Sequence, residues 1–172
     1  MKKIALVFAA FSLLLLSSCG GGSASSSASL DELFLTRRSV RAYEAGKTIS
    51  EAQVKELLTA VQNAPSWANQ QPSKYYVAMT PEKVAALQDM IGSNKEKVIN
   101  APVLVVSTFE TGKSGFFRGQ PANEAGDLWG AYDNGLSNAY FVLKARDMGF
   151  DTLIMGMRDA DQIRSLFSIP EN

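Results

Sequence analysis

The 172-residue chain contains no histidine and a single cysteine, Cys19, and its 17 Lys and Arg are balanced by 17 Asp and Glu. Without histidine there is no Ser-His triad and no Cys/His zinc site, and one cysteine cannot close an intrachain disulfide. Balanced charge with no long basic run leaves no electrostatic footprint for duplex nucleic acid or an anionic membrane surface. The apolar run from Ile4 to Leu16 is too short to span a bilayer. What is present, 46% hydrophobic and 9% aromatic residues, suffices for the core of one globular domain, and two are not expected. If the chain is an enzyme, a bound cofactor carries its difficult step.

Lys2 and Lys3 followed by that apolar run have the form of a signal-peptide core. Leu16, Ser17, Ser18 and Cys19 resemble a bacterial lipobox, which implies cleavage before Cys19 and lipid on its thiol; a plain secretory peptide cut near Ser18 is the other reading. Lipidation would also remove Cys19 as a nucleophile. Gly20 to Ser29, GGGSASSSAS, is a flexible tether whose ends lie roughly 17 to 19 Å apart on average. The expected organisation is a signal peptide over 1–18, a lipidated cysteine and tether over 19–29, and a domain over 30–172. Loss of the two lysines leaves 17 − 2 = 15 basic against 17 acidic residues, close to neutral.

Within the domain, helical and strand periods alternate. Leu30, Leu33 and Phe34 begin a short helix, and Ser50 caps a second with Val54, Leu57, Leu58 and Val61 at helical spacing. YYVAMT reads as a strand, Pro81 opens a helix through Val84, Leu87 and Ile91, and Pro102 to Phe109 reads as a buried strand. From Ala122 to Met148 the spacing predicts one long helix. Trp129, Tyr132, Leu136, Tyr140 and Leu143 form one apolar stripe on it, and Ala125, Ala131, Gly135, Ala139 and Val142 another. A helix apolar on two sides must be covered on both, which predicts a second subunit or complete burial. DTLIMG reads as a last strand, and Asp159 caps a short helix ending at Phe167.

STFETGKSG places Gly-Lys-Ser after an apolar strand, the pattern of a phosphate-binding loop, yet Ser107 stands where the first glycine is required and GFFRGQP cannot start the helix that follows such a loop. A surface loop, or a lid carrying Phe116 and Phe117, fits better.

TRRSVRAY, residues 36–43, concentrates three arginines. In an extended chain Arg37, Ser39 and Arg41 share one side, where two guanidinium forks and a hydroxyl suit a phosphate. A solvated charged face would look the same. NAPSWANQQP, residues 63–72, carries amides and a serine that match the donor and acceptor edge of a planar heterocycle, and equally suits a helix-ending turn.

Taken in this order, RRSVRAY, APSWANQQP, NKEKVINAP and GFDTLIMG resemble the landmarks of the FMN-dependent nitroreductase family, and the resemblance covers Leu30 to Asn172. It implies an α+β sandwich, a mainly antiparallel sheet flanked by helices with a long central dimer helix, assembled as a homodimer with flavins at the subunit interface. It implies that Arg37, Arg38, Ser39 and Arg41 hold the FMN phosphate and ribityl chain, and that Pro65, Ser66, Asn69 and Gln71 line the isoalloxazine. Asn94 and Lys97 match further flavin contacts, and Met155 and Gly156 approach flavin N5 through backbone. The implied activity is ping-pong electron transfer from NAD(P)H or another donor to nitroaromatic, quinone or similar acceptors, with no side chain acting as a catalytic acid. No nucleic acid is implied, and the membrane is met only through the N-terminal lipid, in the periplasm or facing outward.

Two departures from the family pattern accompany the resemblance. The family continues past SIPEN with an apolar strand and a basic tail, so the domain is expected to be incomplete at that end; and Ser73 replaces an aromatic after the flavin loop. The competing class is an envelope lipoprotein that binds flavin or another phosphorylated small molecule without turnover.

Overall fold

The computed structural model describes residues 28–171. The signal peptide, the lipobox with Cys19 and most of the tether lie outside them, and no helix among the described residues is long and apolar enough to cross a membrane.

Local chemistry sets the helix starts. The Ser29 hydroxyl accepts the Glu32 N–H to open α1 (Leu30–Thr36), and Ser50 opens α2 (Glu51–Val61) with a reciprocal box in which Gln53 accepts the Ser50 N–H. Thr80 and Pro81 start α3 (Pro81–Asp89), and Asp159 caps α5 (Ala160–Phe167). Between α3 and α5 comes the longest element, α4 (Leu128–Asp147).

The strands β1 (Ser73–Ala78) and β2 (Leu104–Phe109) pair antiparallel in the register Ser73↔Phe109 to Ala78↔Leu104. Alternation divides their side chains between two faces. On one face Ala78 and Leu104 join Val84, Leu87, Ile91, Val98, Ala101 and Ile163 in the main core, and Tyr76 meets the Phe167 ring at 6.0 Å. On the other, Tyr75, Ser107 and Phe109 meet α4: Tyr75 stacks on Phe141 with ring centroids 5.9 Å apart. The result is an α+β sandwich, α4 against one face of a small antiparallel sheet with α2 packed on α4, and α3 and α5 against the other, with the long helix that the sequence predicts.

Three details differ from the sequence expectation. The long helix starts at Leu128 and not near Ala122, because the Asn123 side chain takes the Ala125 N–H in a turn and Gly126 is left-handed at φ 46°. DTLIMG forms no regular strand; among the described residues it makes one parallel bridge, Ser39↔Thr152, with the Val40 N–H donating to the Thr152 carbonyl at 3.0 Å.

The third concerns the faces of α4. Both apolar stripes lie mainly outward or half-buried: Tyr132 is 61% exposed and Tyr140 41%, Ala131, Gly135 and Ala139 are exposed between them, and Leu128 at the helix start is 70% exposed. The inward face is small and polar, its buried residues being Gly130, Asp133, Ser137 and Ala145. The sheet's aromatics explain it. A Cβ on Gly130 would lie 2.5 Å from the Phe109 ring, and Ser137 is where the Tyr75 hydroxyl arrives, at 2.7 Å.

A small hairpin of β3 (Phe116–Phe117) and β4 (Gln120–Pro121) occupies the loop before α4. No helix follows Gly-Lys-Ser; the Gly112 N–H donates to the Asp127 carboxylate, and the loop is fastened to the helix start.

Candidate functional site

The arginine segment leaves α1 in extended conformation, Arg37 having φ −57° and ψ 130°, and runs into the Ser39↔Thr152 bridge. Among the described residues no carboxylate lies within ion-pairing distance of Arg37, Arg38 or Arg41. The guanidinium contacts that do exist are local: Arg38 Nη1 donates to the Arg37 carbonyl at 2.9 Å and Arg41 Nη1 to the Ser39 carbonyl at 3.1 Å. Guanidinium groups without a carboxylate partner keep most of their five donors for an anion. Tyr43, half-buried just beyond them, donates to the Val40 carbonyl at 3.3 Å; burial and then the charge of Asp151 push its phenol up, so it stays neutral.

The same extended stretch that begins at Thr152 passes through Met155 and Gly156 to Met157. Met155 packs against the core, and a Cβ placed on the next residue, the exposed Gly156, would meet nothing within 4 Å. Met157 lies against the 3-10 turn Gly92–Val98, its sulfur 3.6 Å from the Ser93 hydroxyl. In that turn Lys97 donates to the Asn94 side chain at 2.8 Å. Ser39 of the arginine segment and Ser93 of the turn that holds Asn94 and Lys97 therefore both reach the stretch containing Met155 and Gly156, the first at Thr152 and the second at Met157.

Pro65, Ser66, Asn69 and Gln71 are elsewhere. Their loop passes through the 3-10 turn Trp67–Asn69 and is closed by the Gln71 N–H donating to the Ser66 hydroxyl at 2.8 Å. Three of its non-glycine residues are left-handed, Ala68 at φ 45°, Asn69 at 55° and Gln71 at 49°. Such backbone costs on the order of 1–3 kcal/mol per residue and persists where the surroundings impose it. Across from this loop stands Asp133, 2% exposed on α4, whose two carboxylate oxygens lie 3.0 and 3.1 Å from the Trp67 N–H.

The two groups of residues attach to opposite ends of α4. Trp67 is tied to Asp133, while Thr36 accepts from Arg146 Nε at 3.2 Å. These anchors are 146 − 133 = 13 residues apart, which along a helix is about 20 Å. Between them Lys144 pairs with Glu56 and Asp147, both at 3.0 Å, and those contacts, Asp147 first, hold its ammonium above the usual lysine range.

Asp133 was not visible as a site residue in the sequence, nor was the polar seam it begins. The signal was YDNGLSNAYF, in which Asp133 and Ser137, then Asn134 and Asn138, repeat at four-residue spacing. Asn134 accepts from the Ser107 hydroxyl at 2.8 Å, and Asn138 from Tyr75 at 3.1 Å. Burial is the main influence on Tyr75 and pushes its phenol up, partly offset by the Ser137 hydrogen bond.

Comparison with known proteins follows this geometry. Residues 35–172 match the model of the nitroreductase family. A relative in Caulobacter sp. (strain K31), provisionally named NADH dehydrogenase/NAD(P)H nitroreductase, is 29% identical over 140 residues, covering 73% of this chain and 70% of its own length. Two solved structures share the fold: a nitroreductase family protein from Clostridium novyi NT at TM-score 0.71 and 23% identity, covering 84% of this chain and 79% of the other; and a provisionally named nitroreductase from Exiguobacterium sibiricum 255-15, in complex with FMN, at TM-score 0.73 and 20% identity, covering 84% and 82%.

Proposed function

Because the chain belongs to the nitroreductase family, we propose that it is an FMN-dependent oxidoreductase that takes electrons from NAD(P)H or another donor and passes them to nitroaromatic, quinone or similar acceptors in two separate half-reactions. The names of the Caulobacter relative and of the Exiguobacterium structure with FMN support the donor and the cofactor. The observation that carries the reading is the arginine segment: three guanidinium groups with no carboxylate partner among the described residues, beside a stretch whose Gly156 faces open space.

The residues fit the cofactor. Arg37, Arg38, Arg41 and the Ser39 hydroxyl would grip its phosphate and the sugar-alcohol chain, with Asn94 and Lys97 alongside. Gly156, lacking a side chain, lets a flat ring approach the backbone at Met155 and Gly156. The amide loop Pro65–Gln71 offers donors and acceptors to a heterocycle edge. Bound FMN supplies the hydride chemistry, and the protein supplies position and electrostatics.

The attachment of the two half-sites about 20 Å apart on α4 favours a site completed by a second copy. Leu128, Tyr132 and Tyr140, with Ala131, Gly135 and Ala139 between them, offer that copy an apolar face on the same helix. We also read the chain as lipid-anchored through Cys19 outside the cytoplasm, on the strength of LSSC and the Gly/Ser tether. Mass analysis of the mature N-terminal peptide tests the anchor; an unmodified Cys19 refutes it.

The test of the activity is the visible spectrum of the full chain after FMN addition and desalting, before and after anaerobic NADPH. A retained flavin spectrum that bleaches is expected. If no flavin is retained, the proposal fails; if it is retained and neither NADPH nor NADH bleaches it, the nicotinamide donor is wrong.

A further inference from the structure

We propose that Asp133 is a positioning residue for the flavin: its buried carboxylate on α4 sets the amide loop in the one conformation that accepts the isoalloxazine. The inference rests on the FMN reading, which assigns no part to this residue.

Four observations lead there. Asp133 is 2% exposed, and no cation pairs with it among the described residues. A buried carboxylate is costly unless its oxygens are satisfied, and here both converge on a single backbone donor, the Trp67 N–H, 66 residues away in sequence. Trp67 directly precedes the left-handed Ala68 and Asn69, and after a right-handed Gln70 the loop returns to positive φ at Gln71. The loop's other closure, Gln71 N–H to the Ser66 hydroxyl, lies wholly within the loop and cannot place it relative to the rest of the chain. Asp133 is thus the side chain that relates loop to helix. One turn further along, Ser137 is equally buried but bonds Tyr75 in the sheet, so it provides a control that shares the helix and the burial but not the loop.

The test compares full-length wild type, Asp133→Asn and Ser137→Ala by FMN and riboflavin titration and by thermal unfolding without flavin. Asp133→Asn keeps the volume and an acceptor oxygen and removes the charge. Losing a charge-assisted bond of this kind is expected to weaken flavin binding at least about tenfold. Riboflavin lacks the phosphate, so its affinity should fall by the same factor as that of FMN, leaving their ratio unchanged. Ser137→Ala should lower the melting temperature and leave both affinities as they are. In wild type without flavin, amide exchange measured by NMR should show the Trp67 N–H protected. Unchanged riboflavin affinity in Asp133→Asn, an equal loss in Ser137→Ala, or a Trp67 amide that exchanges as fast as exposed loop amides each overturns the proposal. Wild type that binds neither flavin overturns the cofactor reading instead.

Discussion

The arginine segment and the amide loop are fastened near the two ends of one helix by different means. At the arginine end Arg146 bonds the Thr36 hydroxyl and a backbone bridge, Ser39↔Thr152, holds the segment, while the guanidinium groups of Arg38 and Arg41 reach only local carbonyls. At the other, a buried side chain does the holding and the backbone is forced into left-handed conformations. Binding a phosphate needs only charge at the right spacing with access, which an extended segment provides. Presenting amides to a flat ring needs a fixed loop shape, and that shape is imposed by a residue distant in sequence.

The largest expected break in this contrast is chemical. Arg37→Ala with Arg41→Ala removes two charge-assisted grips, so FMN affinity should fall by about two to three orders of magnitude. Riboflavin affinity, measured in the same titration, should stay within about twofold, opposite to the common loss expected for Asp133→Asn. Gly156→Ala should come next: its Cβ meets nothing in the chain, so the melting temperature should not move, while FMN affinity drops roughly tenfold by obstruction from the ligand side. A loss of stability there would mean that the open face is filled by the protein itself.

Smaller effects sharpen the backbone half of the comparison. Ala68 is exposed at φ 45°, so Ala68→Val should destabilise by about 1–2 kcal/mol and Ala68→Gly should stabilise by about 1 kcal/mol. At this chain length each kcal/mol is roughly 2–4 °C in melting temperature. The same pair of substitutions at Ala42, just beyond the arginines and without a positive φ, should not show that inversion of sign.

The smallest effect belongs to Glu110, whose hydrogen bond to Lys113, ahead of the charges of Lys113 and Lys74, holds its carboxyl below the usual glutamate range. Since the folded pKa is depressed, its contribution is present above the unfolded carboxylate pKa and is lost as pH falls through the folded one. Acid titration of stability should therefore flatten slightly at low pH in Glu110→Gln and change nothing at either half-site.

Much of this was legible in the chain before folding. Ser50, Pro81 and Asp159 announce their helices because capping chemistry is local, and the arginines are evident because charge at alternate positions needs no tertiary context. Other features required partners. DTLIMG has strand composition, yet becomes a strand only to the extent that Ser39 pairs with it. The stripes of α4 were visible, but which side faces inward was decided by the Tyr75 and Phe109 rings, which need room and a hydroxyl and so select Gly130 and Ser137. Asp133 was hidden for the same reason, since its partner is a backbone N–H in a distant loop.

That small, polar inward face also works as an index mark. A helix packed on an oily stripe can rotate or slide with little penalty, whereas one turn of slip, about 5.4 Å, would separate Ser107 from Asn134 and Tyr75 from Ser137 together. α4 is thereby a ruler with a fixed zero. The distance it sets between its two ends is a constant, which a second ruler of the same make can match.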